Sequence, residues 1–239
     1  MKWNHGKFLI TAAIPAIVAA LPGVTFAANC NSSGQPLGAA TWDSSVIVPR
    51  TATIGDGTEI GPGVTIGQYA RIGTCSTIGM DGAGGGVAKY TQLGNNVTMR
   101  NGSVIGYSSR LGDGSIIDGS NIGHNSTIDI SADISGGSWV GAYTKLGTNA
   151  TITGSSLGQY IRLGNFNTIS NSTLGLKSKY GNNVTINGTS ASPDRIGQYA
   201  TVYDSVNIGF GVTIGQKAVI CQSVGNNMTI RGRDHYGCN

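Results

Sequence analysis

The sequence predicts an all-β solenoid made of three-sided coils, and three observations predict it. Aliphatic residues recur every six positions, starting Ile54, Ile60, Ile66, Ile72, Ile78. A Gly follows each of them, and a small or β-branched residue stands two places before each. The composition is also wrong for an ordinary globule. Only 11% of the 239 residues are charged and 39 are Gly, against roughly a quarter and about 7% in typical domains. A period of six fits neither a helix nor a long alternating strand. It fits very short strands joined by tight turns, with the small and the aliphatic residue inward and their neighbours outward. Gly after the aliphatic residue is expected to supply positive φ at the turn. Three such units close one triangular coil of about eighteen residues, and coils stack about 4.8 Å apart.

The elements run in this order along the chain. Residues 1–27 read as an export signal: Lys2 and Lys7, an apolar stretch from Phe8 to Val24, then small residues for cleavage. No membrane span is expected after cleavage. Residues 28–47 read as an N-terminal cap and 48–220 as the β-helix, with about ten coils. "GMDGAGGG" (79–86) and "NGTSASPD" (187–194) interrupt the hexads and are expected to protrude. Between them the step of six continues through Leu93, Met99, Ile105, Leu111 and Ile117, and drops one residue at Ile122, Leu157 and Leu174. Residues 221–239 read as a C-terminal cap. Cys30, Cys75, Cys221 and Cys238 are an even set in an exported chain and suggest two disulfides. Three pairings are possible, with Cys221–Cys238 favoured because it brackets the cap.

Taking every third hexad sorts the outward residues into faces. The first face carries a ladder of Tyr beside a ladder of cations: Tyr69 with Arg71, Tyr90, Arg110, Tyr143 with Lys145, Tyr160 with Arg162, and Lys179. As plain surface, Tyr would hold neighbouring coils together and Lys and Arg would keep the solenoid soluble. As a groove, the rings would stack on sugars or flat ligands. Arg would hold phosphate, sulfate or carboxylate in a fork, and repetition would add weak contacts along a polymer. The second face is an Asn-x-Thr array interrupted at Ile116 and Asp133. Its triplets also match the N-glycosylation acceptor. The third face is a smooth row of Gly with Trp139 as its one large side chain. Removing residues 1–27 leaves thirteen cations against eleven acids, +2, too few to imply nucleic acid from net charge.

"TIGDGTEIGPGVTIGQYARIG" (53–73) resembles the hexapeptide-repeat superfamily of left-handed parallel β-helices over roughly residues 44 to 231. The resemblance implies that fold and self-association, commonly as trimers, with end-to-end stacking into a fibre as the alternative. Many members are acyltransferases and some are zinc enzymes. "NIGHNSTI" (121–128) is similar to the His-Asn turn of the lipid A acyltransferases, which would make His124 a general base. A zinc enzyme needs three convergent His, and the chain without its signal has only His124 and His235, so no metal or other cofactor is expected. The second face resembles some ice-binding solenoids. The reading the residues favour is a non-enzymatic β-helix, secreted to the cell surface or the periplasm. Its role there is structural (adhesion, matrix or fibre assembly), or it binds polysaccharide or another anionic polymer.

Overall fold

A computed structural model describes residues 30–238. The chain is a left-handed parallel β-helix built on hexapeptide repeats. Two parallel sheets have ten strands each and the third has eleven. The expected export signal lies outside the described residues. No helix among them is long and apolar enough to cross a membrane.

Strands of two or three residues are enough because each contributes one or two inward side chains and its hydrogen bonds go to the coils above and below. Register follows the hexads. On the first face Arg71 pairs with Gln92, Gln92 with Arg110, Arg110 with Thr127, Thr127 with Lys145, Lys145 with Arg162, and Arg162 with Lys179. The inward column is dry: Ile105, Ile117, Ile134, Ile152 and Leu157 have no exposed surface. The coil count is about eleven, close to the ten expected. Thr41–Trp42 at one end and Thr229–Ile230 and His235–Tyr236 at the other are additional strands, inside the segments expected as caps. Disulfides join Cys30 to Cys75 and Cys221 to Cys238. Both interrupting segments leave at the same corner. One links Thr77–Ile78 on the second face to Gly85–Val87 on the third, and the other links Thr185–Asn187 to Asp194–Ile196.

Gly79 has the expected positive φ (63°), but the other repeat glycines have a different duty. Left-handed backbone falls two residues after each, at Tyr69 (φ 58°), Cys75 (φ 58°) and Asn96 (φ 55°). The glycine itself is needed because the next coil's backbone crosses directly over it. A Cβ on Gly123 would stand 2.5 Å from the amide nitrogen of Ala142. The third face is also less smooth than expected. Val104 and Arg195 point outward there as well as Trp139.

Inside the corners, Ser side chains form ladders that satisfy buried polar atoms. The amide of Ser155 donates to Ser138 Oγ (3.1 Å), and the amide of Ser172 donates to Ser155 Oγ (3.1 Å). Asp194 is the next member of this column and is fully buried. Its Oδ1 accepts the Val212 amide at 2.8 Å, while its Oδ2 has no partner. Burial raises its pKa above the ordinary carboxyl value, against the lowering effect of the Val212 hydrogen bond. The folded protein therefore holds this proton more tightly than the unfolded chain does. Stability falls as pH rises above the ordinary Asp range and levels off above the raised pKa. Asp194→Asn is expected to stabilise the fold at pH 7 by about 1–2 kcal/mol. That gain should shrink as pH drops to about 3, where the wild-type carboxyl is largely protonated in both states. Urea melts of both proteins at the two pH values check it.

Candidate binding face

The first face is built from two residues per coil. One sits at the turn before the strand and one is the outward residue of the strand. The turn residue is left-handed in every coil from Tyr69 to Tyr199, with φ 58° at Tyr143, 60° at Tyr160 and 58° at Lys177. That conformation costs a residue with a Cβ about 1–2 kcal/mol. It is held here by the backbone bonds between turns: Tyr160 N donates to Ala142 O and Lys177 N to Gln159 O. The result is an outward side chain at one fixed height per coil.

The expected site residues do share one face. Tyr69, Tyr90, Tyr143 and Tyr160 are exposed in one column, and Arg71, Arg110, Lys145, Arg162 and Lys179 project from the adjoining strands. Stacking between neighbours takes up one face of each of these rings. Tyr69 and Tyr90 stack at 5.1 Å between centroids and 1° between planes, and Tyr143 and Tyr160 at 4.9 Å and 3°. Coil spacing matches the separation of offset-stacked rings, so each ring covers its neighbour. What the ladder offers outward is ring edges and phenol oxygens. The stacked faces are closed to a ligand.

Two rings of the ladder escaped sequence reasoning. Ser108 and Asn125 occupy the turn position in their coils, so the column seemed to lapse there. The preceding residues fill it. Tyr107 and His124 stack at 4.6 Å and 3°, and His124 meets Tyr143 edge-on at 5.1 Å. The separation between Tyr107 and His124 is seventeen residues, the same as between Tyr143 and Tyr160, and was the available signal. His124 Nδ1 lies 2.9 Å from Asn125 Nδ2 and so accepts from that amide. The ring is half-buried between two tyrosines.

The cations of this face have no acid partners among the described residues. Among the described residues the one ion pair is Arg100–Asp118 (2.8 Å), which belongs to the second face. Arg110 Nη2 donates to Gln92 Oε1 at 2.9 Å. Lys145, Arg162 and Lys179 follow one another on three successive coils, about 4.8 Å apart. Like charges at that distance repel, and no acid is stacked among them. One cleft on this face, about 410 Å³, is lined by Tyr143, Lys145, Tyr160, Arg162, Lys177, Lys179 and Tyr199. Another, about 320 Å³, lies around Tyr69, Arg71 and Tyr90. His124 lines neither.

On the second face the Thr column runs over Thr77 and Thr98 and again over Thr151, Thr168 and Thr185, because Ile116 and Asp133 occupy the coils between. No group of three or more metal-ligating side chains converges among the described residues.

No family model matches the chain, and no curated protein does. Solved structures do match. They include the UDP-N-acetylglucosamine acyltransferase of Francisella novicida, with 18% identity over 80% of this chain and 62% of that one, TM-score 0.31. The Arabidopsis UDP-N-acetylglucosamine acyltransferase gives 14%, 82%, 71% and 0.34. PerB from Caulobacter crescentus, in complex with CoA and GDP-perosamine, gives 14%, 82%, 55% and 0.21. The chain thus spans under two thirds of the Francisella enzyme. Likeness at this level concerns coil architecture and assigns no activity.

Proposed function

We propose that this chain is an exported, non-enzymatic β-helix that binds an extended anionic polymer along its first face, as a structural or adhesive element at the cell surface or in the periplasm. The observation that carries this reading is the row of unpaired cations Lys145, Arg162 and Lys179, flanked by tyrosine edges and hydroxyls. Three like charges one coil apart raise the energy of the free protein and lower it when a polyanion lies across them. Many weak contacts at one repeat then add up along the polymer. Export is supported by the pairing of all four cysteines, which is usual in oxidising compartments. Changing Arg110, Lys145 and Arg162 together to Glu is expected to abolish binding to polygalacturonate and to inorganic polyphosphate. The β-sheet circular dichroism should be unchanged. Undiminished binding by the triple variant would refute the reading.

A second reading follows the activities named for the matching structures, in which His124 would be the general base of an acyltransferase. Its Nδ1 is occupied by Asn125, so the proton would have to be taken by Nε2. Loss of a measurable acyl transfer in His124→Ala would establish it. Self-association remains part of the proposal. The sheets end in strands paired on one side only, and end-to-end addition of a second copy would pair them.

A further inference from the structure

Stacked tyrosine pairs close ring faces against one another, and a gap in the ladder leaves room for a ligand ring between two of them. One gap is well defined. Lys177 takes the turn position between Tyr160 and Tyr199. The bond from Tyr199 N to Leu176 O and that from Lys177 N to Gln159 O place the three residues on consecutive coils. Lys177 Nζ stands 5.8 Å from the Tyr160 ring centroid and 5.5 Å from that of Tyr199. The ammonium thus sits where the next ring of the ladder would be, held by both π-faces. Two coils separate the flanking rings, about 10 Å, which is room for one intervening ring at ordinary stacking distance on each side. The Lys side chain is long and flexible and can swing outward. Arg162 and Lys179 stand beside the gap, and neither has an acid partner among the described residues.

We infer that this gap is a slot for one pyranose ring of an acidic polysaccharide. The sugar ring would displace the Lys177 ammonium and lie between Tyr160 and Tyr199. Its carboxylate would meet Arg162 or Lys179, and the displaced Lys177 would remain near enough to share it. Neighbouring sugars would continue along the strip, where Lys145 takes the next carboxylate. This rests on the reading of the first face as a polyanion strip and specifies which polyanion. A uronate polymer carries one charge per ring, as the strand position carries one cation per coil over Lys145, Arg162 and Lys179. Duplex nucleic acid carries a charge every ~1.7 Å of its axis. Single-stranded nucleic acid needs several open aromatic faces for successive bases, and this stretch opens one slot.

The test compares three polymers on the disulfide-bonded protein by titration calorimetry: an oligogalacturonate, inorganic polyphosphate, which has no rings, and oligodeoxythymidylate. Lys177→Tyr fills the gap with the residue its neighbours already carry in the same backbone conformation, so it should fold. It is expected to weaken oligogalacturonate binding about tenfold, the order of one aromatic contact, while polyphosphate changes less than threefold. Tyr199→Leu removes one wall and should give the same selective loss. Tyr69→Leu, in the other cleft, should not. Equal losses for oligogalacturonate and polyphosphate, or none, would sink the slot and leave the strip. Oligodeoxythymidylate binding more tightly than oligogalacturonate with the same dependence on residue 177 would overturn the sugar assignment. If neither oligogalacturonate nor polyphosphate binds the native protein, the slot and the strip both fall.

Discussion

Gly123→Ala is expected to destabilise the protein by about 3 kcal/mol or more, a large loss for one methyl group. The added Cβ would stand 2.5 Å from Ala142 N and 2.8 Å from Gly141 C, both backbone atoms of the next coil. Backbone in a solenoid cannot swing aside as a side chain can, because every coil is hydrogen-bonded above and below. The clash must therefore pry two coils apart. Gly137→Ala is the control. It has open space for the methyl but a φ of 73°, so only left-handed strain, about 1–2 kcal/mol, should appear. Chemical denaturation of the two variants separates close approach from conformational strain. If Gly123→Ala cost no more than Gly137→Ala, backbone crowding between coils would not be the reason for the repeat glycine.

The second large effect concerns the last coil. Cys221→Ser combined with Cys238→Ser opens a bridge that closes a segment of 17 residues, worth about 3 kcal/mol by chain entropy. The loss should be local. Thr229–Ile230 and His235–Tyr236 are terminal strands with a neighbour on one side only, and solenoid stability is close to a sum of nearest-neighbour terms. Hydrogen exchange is expected to show amides of residues 222–238 exchanging fast, with protection intact through Ile220. Val224 and Ile230, now buried, would become exposed in the frayed state. Uniform loss of protection along the whole helix would contradict this.

Much of the fold was legible because a strict period of six leaves little freedom. Once Ile54, Ile60 and Ile66 are inward, the step fixes which residues face out, and every third hexad shares a face. That is why Tyr143 with Lys145 and Tyr160 with Arg162 could be placed on one strip without coordinates. Three things were not legible. Tyr107 and His124 join the ring column from one residue earlier, since a turn lets either of two adjacent side chains point along it. The direction of the ring planes depends on side-chain torsions that a periodic pattern does not encode. Asp194 reads as an end-of-loop acid, yet the register places it inside the Ser column. The glycine after each aliphatic residue was visible, but its reason lay in the neighbouring coil, a whole turn away in sequence.

The two irregular segments have a practical consequence. Both leave the prism at the corner between the second and third faces, which is the edge opposite the first face. The coils there already tolerate extra residues without loss of register: Thr77 still pairs with Thr98 below the one, and Thr185 with Asn207 below the other. That edge is a natural splice point. A tag or epitope inserted among residues 81–84 or 189–193 would be displayed on the back of the molecule, at two heights set by the coil spacing, leaving the strip and its slot unobstructed for labelling or surface immobilisation.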